Sequence, residues 1–271
     1  MSLFARNRSL PELLSASRAL LLSSLLLAPF AAAAPRLDVP YVPTPHDVVH
    51  RMLEMANVQP DDRLIDLGSG DGRIVVAAAK DWNVQSALGI DLDPERIAEA
   101  RENARQAGVE DRVTFEQGDL FEKDISDATV LTMYLLTTVN ERLRPVILDT
   151  LEPGTRVVSH SFGMGVWEPD EFDTVSGSTI YMWIVPAKVG GRWQLTTAEG
   201  EEMSLQFQQN HQQIQGSVDA NGNAELMNNL GLRGKEIRFY IGRDEYVGKV
   251  DGDRITPVEG TQVQGWHASR I

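Results

Sequence analysis

The chain contains no cysteine. Disulfides, thiolate zinc sites and lipid attachment through a processed N-terminal cysteine are therefore excluded. Basic residues are scarce: 25 Lys and Arg face 39 Asp and Glu, for a net charge of −14. The deficit sits in residues 35–187, which hold 13 basic against 27 acidic side chains, whereas residues 188–271 hold 9 against 11. Such a stretch lacks the basic footprint a polyanion needs, so nucleic acid is not expected as a partner. It suits a cationic partner, or is simply a solvated acidic surface. Long apolar runs are also missing; the run Ala19–Ala28 is too short for a comfortable bilayer span. His46, His50, His211 and His267 form no metal-ligand spacing, no Ser–His–Asp arrangement is legible, and no metal is expected.

What the N-terminus does have is an address. Arg6, Arg8 and Arg18 precede the apolar run, Pro29 breaks it, and Ala31-Ala32-Ala33-Ala34 offers small residues for cleavage. This is the pattern of a secretory signal over residues 1–33, with Ala34-Pro35 at the new start and a periplasmic or secreted product. An uncleaved, membrane-anchored N-terminus is the alternative, and membrane association is expected only in that case. Export would separate the chain from any cofactor made only in the cytoplasm.

The chain is organised around Arg63-Leu64-Ile65-Asp66-Leu67-Gly68-Ser69-Gly70-Asp71-Gly72-Arg73-Ile74-Val75-Val76. An apolar strand runs into a glycine-rich turn and then an amphipathic helix, the nucleotide corner of an open α/β sheet. A dinucleotide turn wants G-x-G-x-x-G with pyrophosphate over the helix N-terminus. Here Gly68 and Gly70 fit, but the sixth position is Arg73 and the third glycine comes early, at Gly72. Asp66 and Asp71 flank the turn and would repel a pyrophosphate, so a cofactor with a cationic aminoacyl end fits better.

Around this corner strand and helix alternate: strands at 63–67, 85–91, 112–117, 128–134 and 155–162, helices at 72–81, 94–107 and 137–151, and a late strand at 178–186. That order predicts a mostly parallel sheet with helices on both faces. Ligands then bind beyond the C-terminal strand ends. Asp91 ends the second strand, 25 residues after Asp66, and Asp119-Leu120 follows the third. Upstream, three prolines hold residues 35–44 extended, and Thr44-Pro45 reads as an N-cap and first residue for a helix bearing Val48, Val49, Met52 and Leu53. Tyr41-Val42-Pro43-Thr44-Pro45 either lies across the cofactor mouth or is a tether.

Asp66-x-Gly68-x-Gly70-x-Gly72 resembles motif I of the class I S-adenosylmethionine (SAM) methyltransferases. With Val42-Pro43-Thr44-Pro45 and Ala77-Ala78-Ala79-Lys80, residues 39–186 are similar to a bacterial group related to the mitochondrial lysine methyltransferases of ATP synthase subunit c and the adenine nucleotide translocase. The resemblance implies a Rossmann-like seven-stranded methyltransferase sheet with SAM as cofactor. It implies a SAM site of Asp66, Gly68, Ser69, Gly70, Asp71, Gly72, Asp91 on the ribose hydroxyls, Asp119 on the adenine amino group and Leu120 on the ring. Strand four ends in Thr132-Met133-Tyr134-Leu135-Leu136, where the acceptor enters, so Tyr134 is the candidate for shaping the acceptor channel. His160, Ser161 and Trp167 follow strand five toward the same mouth, with Trp167, beside Glu168-Pro169-Asp170, alternatively a loop anchor and Asn140 a weaker candidate. No Asn-Pro-Pro-Tyr sequence is present, which again lowers nucleic acid as acceptor.

After Pro186 the helix signals vanish. Short alternating runs, with turns at Asp219-Ala220-Asn221-Gly222-Asn223 and Val250-Asp251-Gly252-Asp253, predict seven or eight strands in a small antiparallel barrel or sandwich. Gly190-Gly191-Arg192-Trp193 and Trp266-His267-Ala268-Ser269-Arg270 look like the two ends of one closed meander. The expected organisation is a signal at 1–33, a SAM-dependent methyltransferase domain at 34–187 and a small β domain at 188–271. The expected activity is methyl transfer, to protein lysine first. The alternatives are a small-molecule acceptor, or an exported SAM- or nucleoside-binding protein without transfer.

Overall fold

The structure, a computed structural model, describes residues 41–220 and 222–271. The expected signal segment lies outside the described residues. Among the described residues no helix is long and apolar enough to cross a membrane.

The first sheet has seven strands: β1 (Arg63–Leu67), β2 (Ser86–Asp91), β3 (Val113–Gln117), β4 (Val130–Met133), β5 (Arg156–His160), β6 (Glu171–Val175) and β7 (Ser178–Ile184). Their order is β3-β2-β1-β4-β5-β7-β6. The first five are parallel, and β7 pairs antiparallel with both β5 and β6. Strand order reverses between β1 and β4, which is where an open sheet leaves a crevice.

Both faces of β1 are covered, so Leu64, Ile65 and Leu67 are all buried, and Asp66 is the one polar side chain in the buried run. Leu64 belongs to the core formed with α1 (His46–Met55), α2 (Arg73–Asp81) and α3 (Pro94–Ala107), which includes Val48, Met52, Leu53, Val75, Ala78, Ala100 and Ala104. Ile65 and Leu67 face the other way, onto Val139, Leu143 and Ile147 of α4 (Thr137–Thr150). Helix α3 starts where local chemistry dictates: Asp93 accepts from Glu95 N–H, Pro94 takes the first position, and Gly108 closes the end in the left-handed region. Helix α1 departs from expectation. Pro45 is its N-cap, and Thr44 turns its hydroxyl elsewhere.

The seventh strand that the resemblance implies is β6, at a place the sequence pattern does not mark. Its sequence, Glu-Phe-Asp-Thr-Val, is mostly exposed and lies at the sheet edge, so it lacks the apolar alternation that marks a half-buried strand. Strand five is also shorter than expected, because Ser161 adopts φ +62° and turns the chain.

The second sheet has nine antiparallel strands, not seven or eight: β8 (Gly191–Thr196), β9 (Glu202–Asn210), β10 (Gln213–Ala220), β11 (Asn223–Leu226), β12 (Asn228–Arg233), β13 (Glu236–Ile241), β14 (Asp244–Asp251), β15 (Arg254–Pro257) and β16 (His267–Arg270). The first and last pair directly, His267 with Thr196 through Arg270 with Trp193, so the two ends do join one meander. With β10 and β12 close across the seam, the sheet is a nearly closed barrel. Trp193, Phe207, Phe239 and Trp266 fill its interior and are each at most 1% exposed. Such an interior is a packed core rather than a ligand cup.

The barrel is keyed to the first sheet. Trp167, fully buried against Trp183, donates through Nε1 to Gln212 Oε1 at 2.8 Å, and Gln212 Nε2 donates back to Glu168 O at 2.7 Å. Trp167 therefore anchors a loop to the β9–β10 turn and does not face the acceptor mouth. Ala187 N–H donates to Gly234 O at 2.8 Å where the chain passes between the sheets.

Candidate active site

The C-terminal ends of β1, β2 and β4 meet in one crevice. It is lined by Asp66, Gly68, Ser69, Gly70 and Asp71 from the glycine turn, by Asp91 and Asp93 after β2, by Asp119 and Leu120 after β3, and by Tyr134, Leu135 and Val139 after β4. Of the residues expected to bind SAM, Gly72 alone is not among the lining residues, and of the acceptor-side candidates only Tyr134 is; Asn140, His160, Ser161 and Trp167 are not. Gly72 sits at φ +78°, and a Cβ there would fall 2.7 Å from the Phe115 ring and 2.9 Å from Ala100. Its role is to let α2 pack on α3 and β3.

The turn is wired internally. Gly68 and Ser69 N–H both donate to Ile90 O, Gly72 N–H to Ser69 O, and Gly70 N–H to Asp91 Oδ2 at 2.8 Å. A phosphate cradle needs those N–H groups free and aimed at the ligand. Here four are already satisfied, and a ring of carboxylates surrounds them. The dinucleotide reading fails on this geometry.

The same ring suits a cationic adenosyl donor. Asp66 is 2% exposed and accepts from Thr132 Oγ1 at 2.7 Å. Burial, partly offset by that bond and reinforced by Asp91 and Asp71, pushes its carboxyl up to about 7. A bound ammonium or sulfonium would return it to the charged form. Asp71 is pushed up by burial, but the Arg73 guanidinium outweighs that and holds it below the usual carboxylate range. Asp91 Oδ1 accepts from Asp93 N–H at 2.9 Å, so each of its oxygens has one backbone donor and a second lone pair for a ribose hydroxyl. Asp119 is exposed; its Oδ1 accepts from Phe121 N–H at 2.9 Å, leaving Oδ2 for an adenine amino group. Buried Ser69 Oγ has no protein partner.

A strap closes the crevice. Tyr41 lies over Gly70, where a Cβ would come within 2.5 Å of its ring. Arg96 Cζ sits 4.9 Å from the Tyr41 ring centre. Arg73 Nη1 donates to Thr44 O at 2.8 Å. Tyr41 through Thr44 therefore line the crevice rather than merely tether the helix. Arg73 and Arg96 were not foreseen as site residues. For Arg73 the signal was the early third glycine, which leaves a long cationic side chain at the sixth position of the turn; Arg96, on α3, carries no such signal.

Beyond the strap stands an uncharged aromatic wall. Tyr134 packs against His160 with ring centres 3.8 Å apart and stacks on Phe162 at 5.9 Å. His160 and Phe162 flank Ser161, whose left-handed conformation costs on the order of 1–3 kcal/mol. The surroundings enforce it: Ser161 N–H donates to Thr179 O, Phe162 N–H to His160 O, and buried Asn140 Nδ2 to Phe162 O at 3.0 Å. Burial pushes the His160 imidazole down to about 4, so it is neutral near pH 7. Among the described residues no group of three or more His, Cys, Asp or Glu is placed to hold a metal ion.

The comparisons with known proteins agree with this geometry. The family model described as the ANTKMT methyltransferase domain matches residues 66–171. A relative from Saccharolobus islandicus, named protein-lysine N-methyltransferase, is 51% identical over 151 residues, which cover 54% of this chain and 94% of the relative. The chain belongs to this methyltransferase family. The mouse adenine nucleotide translocase lysine N-methyltransferase is 35% identical over 147 residues, covering 54% of this chain and 63% of that protein. A crystal structure of an RNA methyltransferase from Salinibacter ruber, in complex with S-adenosyl-L-homocysteine, is 54% identical with a TM-score of 0.53, covering 55% of this chain and 96% of that one. The methyltransferase described here is thus a SAM-dependent enzyme, and the acidic glycine corner is the part of its fold that fits the cofactor.

Proposed function

We propose that this enzyme methylates lysine side chains of protein. The observation that carries the reading is Tyr134 at the edge of a carboxylate-lined crevice, backed by the rings of buried His160 and of Phe162. A lysine nucleophile must lose its proton before it attacks the methyl group, and an uncharged, water-poor wall favours the neutral amine. Methyl transfer is an in-line displacement, so positioning and exclusion of water are the main work of the protein. The carboxylates outside the wall attract the approaching ammonium.

Two relatives named for lysine methylation support the same reading. The Salinibacter protein is named for RNA, and the two names imply different acceptors. The cations lining this crevice favour protein. Arg73 is paired with Asp71, and Arg96 with Glu99 and Asp93, so neither is held ready for a phosphate.

Incubation with methyl-labelled SAM and separate protein, RNA and small-molecule fractions of a cell extract tests the proposal. Label in protein supports it, label in RNA overturns it, and label only in small molecules favours the small-molecule alternative. We also propose export through residues 1–33, supported by the basic, apolar and small-residue pattern there. N-terminal sequencing of the mature chain tests that, an intact Met1 counting against cleavage.

A further inference from the structure

The cofactor strap and the acceptor wall are joined by one hydrogen bond. Thr44 Oγ1 and His160 Nδ1 are joined by a buried hydrogen bond of 3.1 Å across 116 positions of sequence. Thr44 is 4% exposed and His160 2%, so water does not compete for that bond. The other flank of the imidazole packs on Tyr134, and its Nε2 has no protein partner. Thr44 is the last residue of the strap, and its carbonyl is held by Arg73, the partner of Asp71. The chain Asp71, Arg73, Thr44, His160 and Tyr134 thus runs unbroken from the SAM side to the acceptor side.

The hydroxyl of Thr44 had a cheaper local use. As the residue before Pro45 it is placed to cap α1, yet it makes no cap and bonds the imidazole instead. The strained turn at Ser161 fixes His160 where that bond can form.

We propose that His160 is a positioning residue that latches residues 41–44 closed over the bound cofactor and seats that latch on Tyr134. Opening the strap then requires breaking the Thr44–His160 bond, and the acceptor wall sets how firmly the imidazole is held. This inference rests on the SAM site described above, and its test separates the two. The probe is S-adenosyl-L-homocysteine, with its association and dissociation rates followed by stopped flow on the full chain.

In Thr44→Val and in His160→Phe the dissociation rate is expected to rise roughly five- to tenfold, the weight of one buried hydrogen bond, with association little changed. Thr44→Ser, which keeps the hydroxyl, restores the slow rate. The double variant Thr44→Val/His160→Phe is no faster than either single one. Tyr134→Leu also speeds release, non-additively with Thr44→Val, whereas a side chain touching only the cofactor would add to it. Thermal midpoints of all variants identify any that fail to fold. Unchanged dissociation in folded Thr44→Val and His160→Phe, or additive effects, would overturn the latch and leave the SAM site standing. A wild-type chain that binds no S-adenosyl-L-homocysteine would instead overturn the cofactor reading.

Discussion

Thr132 Oγ1 donates to Asp66 Oδ1 at 2.7 Å, directly across the β1–β4 ladder that pairs the two residues. One hydroxyl is little compensation for a carboxylate so deeply buried, and the carboxyl is pushed up to about 7 in the free protein. The folded chain therefore keeps a proton between about pH 4 and 7 that the unfolded chain releases. Stability of the free enzyme falls as pH rises through that window. A cationic cofactor reverses the balance by restoring the charged form, so SAM affinity is expected to rise from about pH 6 to 8 with release of up to one proton. Asp66→Asn should raise the thermal midpoint of the free enzyme at about pH 8, and weaken SAM binding to a level independent of pH. Calorimetry in buffers of different ionisation enthalpy counts the protons; none released would contradict this role.

Asp91 is expected to matter for binding more than for folding. It accepts from two backbone N–H groups and has lone pairs left for the ribose. Asp91→Ala should cost roughly 1.5–3 kcal/mol of cofactor affinity, about ten- to a hundredfold in Kd, as loss of charge-assisted hydrogen bonds does. Titration calorimetry with S-adenosyl-L-homocysteine measures it. Unchanged affinity in a folded variant would reject the ribose contact.

Two glycines of one turn should fail differently when given a Cβ. At Gly72 the new atom meets Phe115 and Ala100 inside the core at φ +78°, so Gly72→Ala should lower stability by about 2 kcal/mol or more. At Gly70 it meets Tyr41, which is 41% exposed and can swing away. Gly70→Ala should therefore weaken cofactor binding more than it lowers the thermal midpoint. Paired melting and binding curves check the contrast.

The barrel is expected to act through Trp167. Gln212→Leu would leave the buried Trp167 Nε1 without its acceptor, a loss of about 1–3 kcal/mol. The thermal midpoint should fall by several degrees. Trp167→Phe, which removes the donor as well, combined with Gln212→Leu should recover part of that loss. Thermal melts of the single and double variants measure it; an additive further loss would contradict the pairing.

What was legible in the sequence follows from what the chain buries. Leu64-Ile65-Asp66-Leu67 and the glycines after it announce strand, turn and helix because each needs a backbone few other residues allow. The alternation of strand and helix through His160 marks a mostly parallel sheet, and the first five strands are parallel. Phe172 was not legible as part of a strand, since an edge strand that is mostly exposed carries no apolar period. Thr44 was misread as a cap because its partner, His160, lies 116 residues away, and no local pattern encodes that bond. Arg73 looked like a defect in a glycine motif; only the folded turn shows it gripping Asp71 and the strap. The extra barrel strand escaped because Asn223–Leu226 is exposed along its whole length.

The most direct measurement is acid hydrolysis of protein labelled by this enzyme with methyl-tritiated SAM, followed by amino-acid analysis. Label recovered as methylated lysine is the expected result. Label recovered in another amino acid, or no incorporation into protein at all, would contradict a lysine methyltransferase.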